Sequence, residues 1–128
     1  MREILFRGKQ KDNGEWVEGY YNYATDGYNL ELHLISDKIT GIHTEVIPET
    51  VGQYTGLTDK NGKKIFEGDI VRNPETSDVG EIYFDTNTAT FAIKFASFIV
   101  NFCDYNNSDV EVIGNIHDKK LEDFENGC

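Results

Sequence analysis

The sequence predicts an all-β fold, a small barrel or sandwich with at most a short C-terminal helical turn, and three observations carry that prediction. Aromatic residues are abundant, with seven Tyr, eight Phe and one Trp in 128 residues, and rings favour the pleated, half-buried surface of strands. Short apolar runs alternate with polar residues, and no stretch sustains the 3.6-residue period of a helix. The runs are broken at close spacing by Asn13-Gly14, Asp26-Gly27, Asn61-Gly62 and Gly68-Asp69, dipeptides that turn one strand into the next. A βαβ plan would instead alternate strands with helices.

In chain order, "EILFRGKQKDNGEWVEGYYNY" reads as a hairpin about Asn13-Gly14, where a type I′ turn needs two positive φ values. In its second arm Val17, Tyr21 and Tyr23 share one face, and Trp16, Glu18, Tyr20 and Asn22 the other. "NLELHLI" puts Leu30, Leu32 and Leu34 opposite Glu31 and His33, the signature of a half-buried strand, with Asp26-Gly27 as the turn before it. Pro48 lacks a ladder donor and belongs at a strand end, an edge or a connection. "KKIFEGDIVRN" gives two short strands about a Gly68-Asp69 bend, "GEIYFDTNTATFAIKFASFIVNF" a hairpin, "DVEVIGNI" a last strand, and "HDKKLEDFENGC" a helical turn or two with Asp118 as N-cap.

One domain over 1–128 is the organisation this length predicts. It divides into an N-terminal β-hairpin or sheet sub-domain at 1–47, a second part at 48–117 and a short tail at 118–128. The formal net charge is -11, so a duplex or an anionic membrane repels the average face. Nucleic acid is thus an unlikely partner by charge. The acidity is uneven, since residues 1–64 hold eight Lys/Arg against ten Asp/Glu and residues 65–128 four against thirteen. Solubility explains such acidity most simply; a face shaped for a basic partner, or one imitating a phosphate backbone, explains it more sharply. Cys103 and Cys128 form neither a disulfide framework nor a metal spacing, which fits a reducing, cytoplasmic setting. No run approaches the length of a membrane span, and the opening "MREILFRGKQKDNG" turns charged at once.

Three segments, "REILFRGKQKDNGEWVEGYY", "IPETVGQYTGLTDKNGKKIFEGDIV" and "EVIGNIHD", resemble in order and spacing the signature segments of the YopX family, small proteins encoded by phages and prophages. The resemblance spans nearly the whole chain. It implies a mostly β protein of phage or prophage origin, with an SH3-like barrel in the C-terminal part. It implies no activity, cofactor or catalytic residue.

The residues themselves argue against chemistry. A calcium loop started at Asp59 has Asn61 at position 3, but Lys63 at 5, Lys64 at 6 and Ile70 at 12. A phosphate loop fails as well, because Gly56 and Gly62 are one residue too far apart and Ile65 follows Lys64. Glu67 and Asp69 flank Gly68 and could divide acid and base roles, although an aspartate in a bend more commonly accepts backbone hydrogen bonds. His33, His43 and His117 have no metal spacing; His33 reads as a solvated strand residue, and a site from His43, Glu45 and a distant carboxylate is the weak alternative. Nothing basic lies near Cys103 to activate it. No catalytic, cofactor-binding or metal residue is assigned, and no cofactor is expected.

Binding is better supported. Trp16, Tyr20, Tyr21, Tyr23 and Tyr28 cluster early, with rings on opposite strand faces, and Tyr and Trp are enriched in interfaces because they bury area while keeping a polar tip. Two packed sheets burying both faces would be the ordinary explanation. Cations gather as Arg2, Arg7, Lys9 and Lys11 and again as Lys60, Lys63 and Lys64. The candidate interaction surface is therefore Trp16, Tyr20, Tyr21, Tyr23, Lys60, Lys63 and Lys64. The leading expectation is a non-enzymatic phage or prophage accessory protein that forms a homo-oligomer and contacts a host or phage protein. The alternatives are nucleic-acid binding or acidic DNA mimicry and, more weakly, a hydrolase built on Glu67 and Asp69.

Overall fold

A computed structural model of the chain describes residues 4–96, 98–101 and 110–118. Among these residues the chain is nearly all β. The strands are β1 (Phe6–Lys9), β2 (Trp16–Thr25), β3 (Glu31–Ser36), β4 (His43–Glu45), β5 (Gly52–Thr58), β6 (Lys64–Phe66), β7 (Asp69–Arg72), β8 (Val79–Asp85), β9 (Thr90–Phe95), β10 (Ile99–Asn101) and β11 (Glu111–Asn115). They form two antiparallel sheets, ordered β4-β3-β2-β1-β5-β6 and β10-β9-β8-β7-β11. Pro48 opens a 3-10 turn, Pro48–Thr50, between β4 and β5, where its missing N–H costs nothing. No helix among the described residues is long and apolar enough to cross a membrane.

The chain divides into two compact units, Met1–Tyr54 and Thr55–Cys128, with the division inside β5. In the first, β1 pairs with β2, and β2 with β3 over Tyr20↔Ser36 to Thr25↔Glu31. Val46 bridges to Gln10, while Ile47 N–H donates to Lys9 O and Lys11 N–H to Glu45 O, tying the residues after β4 to the end of β1. The pairing is close at Gly19, where an added Cβ would lie 2.0 Å from Ser36 O and 3.2 Å from Ile35 Cγ2. That absent side chain makes room for Ile35, which is fully buried.

Burial along β3 rises toward its C-terminal end on both faces: Leu32, His33 and Leu34 are half-buried, and Ile35 and Ser36 are buried, with Ile35 meeting the space over Gly19.

In the second unit β8 is the central strand, paired with β7 and β9; β11 pairs with β7 and β10 with β9. Ile65, Val71, Ile82, Phe91, Ile93, Phe95, Val110 and Val112 pack as one cluster, with Leu57 and Val100 against it. Ala92 is buried as well as Phe91 and Ile93, so β9 is covered on both faces. β10 and β11 are the sheet's edges; the SH3-like barrel that the resemblance implies is thus an open sheet in the described residues. Gly68, at φ 91°, makes the bend before β7, and buried Asp69 accepts the Phe66 N–H at 2.8 Å through Oδ2. This is the turn role an aspartate commonly takes.

Neither Asn-Gly pair makes the two-residue type I′ turn. Gly14 and Gly62 have positive φ, 73° and 82°, but Asn13 and Asn61 do not. Lys11–Gly14 form a four-residue loop closed by Gln10 N–H to Glu15 O and Gly14 N–H to Gln10 O. Lys60–Gly62 form a three-residue loop closed by Asp59 N–H to Lys63 O and Gly62 N–H to Asp59 O. One left-handed glycine after a type I turn restores the strand twist as well as two positive φ values would.

The expected helical turn over 118–128, and Arg2, Cys103 and Cys128, lie outside the described residues. Asp118 itself is in a turn in which Asn115 Oδ1 accepts the N–H groups of His117 and Asp118, each at 3.0 Å.

Candidate interaction surface

The aromatic residues of the first unit divide between the two faces of its sheet because β2 carries them at both odd and even positions. On one face Trp16 and Tyr20 stand beside cations. The Arg7 guanidinium lies 4.6 Å and Lys9 Nζ 5.6 Å from the Trp16 ring centroid, and Lys38 Nζ lies 5.8 Å from that of Tyr20. Within about 6 Å such cations are drawn to the ring's negative face. Farther along this face Ser36 Oγ accepts a hydrogen bond from Asn22 Nδ2 and meets His43 Nδ1. Lys11 Nζ donates to Glu45 Oε2 at 3.1 Å.

The other face carries a ladder of rings. Phe6 and Tyr21 lie 5.7 Å apart, Tyr21 and His33 stack at 5.9 Å, and Tyr23 tilts onto His33 at 5.2 Å. Tyr21 Oη is hydrogen-bonded to His33 Nδ1, so His33 is a half-buried member of this ladder rather than the solvated residue the alternation suggested. Tyr23 Oη donates to Glu31 Oε1 at 3.1 Å. This bond to the carboxylate, with smaller contributions from burial and the Glu31 charge, holds the phenol above its ordinary pKa. The ring at the exposed end is therefore a neutral donor anchored to an acid.

Two ordered turns lie at opposite ends of β3. Asp26 Oδ1 accepts the N–H groups of Tyr28 and Leu30 at 2.8 and 3.1 Å, and Asp37 Oδ1 those of Ile39 and Thr40 at 2.8 and 2.9 Å. The bonds from Tyr28 and Leu30 lower the carboxyl pKa of Asp26, and those from Thr40 and Ile39 that of Asp37. Ordered in this way, the turns hold Tyr28 90% exposed and Ile39 95% exposed, with Leu30 and Ile42 exposed beside them. Large apolar side chains on pre-ordered tips are unusual on a surface with no partner.

The lysines belong to the second unit. Lys60, Lys63 and Lys64 are exposed around the β5–β6 turn, whose conformation is set by Asp59. Asp59 Oδ1 accepts the N–H groups of Asn61 and Lys63 at 2.8 and 2.9 Å, and its Oδ2 that of Val112 at 2.9 Å. Burial raises the Asp59 pKa, but the hydrogen bonds from Val112, Lys63 and Asn61 outweigh it and leave the carboxyl below its usual range. Lys60 Nζ lies 3.9 Å and Arg72 Nη2 3.5 Å from Glu111 Oε2.

The seven residues singled out from the sequence therefore fall in three places. Trp16 and Tyr20 share one face, Tyr21 and Tyr23 the opposite face, and the three lysines a turn of the other unit. Sequence reasoning missed Leu30, Ile39 and Ile42 as surface residues. The available signal was an aspartate followed within a few residues by an apolar side chain and a glycine, in "SDKITGI", where turn chemistry ordinarily selects polar residues.

Asp69, the weak acid/base candidate beside Glu67, is 1% exposed and accepts the Phe66 N–H, the role of an aspartate in a turn. Among the described residues no three His, Cys, Asp or Glu side chains are grouped to hold a metal ion. Burial drives the Glu81 carboxyl above its ordinary pKa, partly offset by the charge of Lys94, and it lies mid-strand opposite Ile70 and Lys94.

A family model described as YopX protein matches residues 5–121. The chain belongs to the YopX family. No curated protein matches it. Family membership accounts for the three signature segments and leaves the role of the exposed rings to be argued from the geometry.

Proposed function

We propose that the protein is a phage or prophage accessory factor that works without catalysis, as a protein-interaction module that self-associates. The observation that carries this reading is the set of large apolar side chains held outward on ordered turns and strands of the first unit, Tyr23, Tyr28, Leu30, Ile39 and Ile42. Solvent gains nothing from rigid apolar tips, whereas a partner that covers them gains roughly 25 cal/mol for each Å² of apolar surface withdrawn from water. Light scattering across a wide concentration range tests it: the mass rises above that of one chain, while a strictly monomeric protein at the highest concentration removes the self-association claim. Affinity capture from induced cells then identifies any further protein partner.

A second reading is single-stranded nucleic acid on the opposite face. It is favoured by Lys9 and Lys38 set against Trp16 and Tyr20, since basic side chains interleaved with rings suit a phosphate backbone with stacked bases. An oligonucleotide shift at low salt, lost on Trp16→Ala, supports it; no shift at low salt ends it.

A further inference from the structure

Between Lys11 and Lys38 the chain has no Lys or Arg, and two of its carboxylates, Asp26 and Glu31, lie at the turn that joins β2 to β3. That stretch contains the whole β2–β3 hairpin. At its far end Tyr23, Tyr28 and Glu31 are exposed, the Tyr23 hydroxyl donating to Glu31 and the Tyr28 N–H to Asp26. Ring faces beside carboxylates fit an alkylammonium group, which gains from the ring quadrupole and from the acid together. The same chain carries a match for such a surface. Lys60, Lys63 and Lys64 crowd one turn, all exposed, and Asp59 orders that turn through Asn61 and Lys63 before any partner arrives.

We infer that the far end of the β2–β3 hairpin receives the Lys60–Lys64 turn of a second copy of the chain. This rests on the self-association proposed above and assigns its two surfaces. Because donor and acceptor surfaces differ, the contact is head-to-tail, and repetition gives rings or open chains instead of a closed two-fold pair. Both partners are ordered beforehand, so little conformational entropy is lost on contact. Two turn-sized surfaces cover well under the roughly 1,600 Å² of a standard interface, which makes the association weak and salt-sensitive.

Sedimentation velocity on three proteins tests the assignment: the wild type, a variant with Lys60→Gln, Lys63→Gln and Lys64→Gln, and a variant with Tyr23→Ala and Tyr28→Ala. The wild type forms species larger than a dimer with rising concentration, and going from about 50 mM to about 500 mM salt weakens them about tenfold. Each variant alone is weakened at least about tenfold. An equimolar mixture of the two variants recovers a dimer and nothing larger, because each supplies the surface the other lacks; that recovery also shows that both are folded. Wild-type assembly matched by either variant, or a mixture that stays monomeric while the wild type assembles, overturns these two surfaces and leaves self-association standing. A wild type that is monomeric at low salt overturns both. Binding of a lysine-rich peptide by a monomeric wild type would assign the hairpin to another basic protein and likewise overturn the inference.

Discussion

Among the described residues of Met1–Tyr54, four apolar side chains are buried and seven large ones exposed, whereas from Thr55 onward eleven are buried and three exposed. The second unit is organised around one core, with Ile82 and Ile93 fully buried in it. The first relies on a close approach at Gly19 and on aspartate-ordered turns, and leaves most of its large apolar residues on the surface. In a single chain the two units therefore differ in kind, one gathering its large apolar side chains into a core and the other leaving them outward, as the proposed contact surface requires.

Substitutions that treat the two units differently sharpen this contrast or break it. The largest effect is expected from Gly19→Ala in the first unit, where the new methyl would overlap the Ser36 carbonyl at 2.0 Å. Strand separation at β2–β3 is then forced, and urea unfolding should show a loss of roughly 3 kcal/mol or more. A near-neutral result would mean that the first unit is too loosely paired to be an ordered surface. Next comes Ile82→Ala in the second unit, fully buried in its core, with an expected loss of about 3–4 kcal/mol in the same measurement.

Asp59→Ala should cost roughly 2–3 kcal/mol, because it leaves the N–H groups of Asn61, Lys63 and Val112 without their acceptor. The carboxyl is depressed in the folded state relative to the unfolded chain, so its contribution is fully present above about pH 4 and is lost as the pH falls through the folded value. Thermal melts at descending pH should show the wild type losing this increment and Asp59→Asn lacking that part of the slope. A smaller change, a gain of about 0.5–1 kcal/mol, is expected for Ala89→Gly at the β8–β9 turn, since Ala89 sits at φ 54°. The smallest is Ile39→Ser. With the side chain 95% exposed, stability should stay within about 0.5 kcal/mol of the wild type; a loss like that at Ile82 would show that this tip belongs to a core and would dissolve the contrast.

Much of the second unit was legible because its signals are local and redundant. Phe91, Ile93 and Phe95 alternate into the core, and Gly68-Asp69 carries its own turn chemistry. The half-buried character of β3 was legible from its alternation, but the burial of Ile35 was not, because it depends on the space that Gly19 opens on a neighbouring strand. The Asn-Gly turns were placed correctly but the type I′ reading was wrong, because the loop length follows from where the strands stop pairing, which one dipeptide does not encode. Of the candidate surface, the tyrosines could be read as rings on both faces, yet their separation from the lysines, and the exposure of Ile39 and Ile42, follow from pairing and turn geometry that composition leaves open.

The central claim is that the first unit's hairpin is a contact surface and the second unit's core is not. Amide hydrogen exchange at low and high protein concentration tests it most directly. The account predicts that residues 23–31 and the Lys60–Lys64 turn slow their exchange as concentration rises while β8 and β9 do not change. Exchange independent of concentration throughout the chain, or slowed only in β8 and β9, would contradict it.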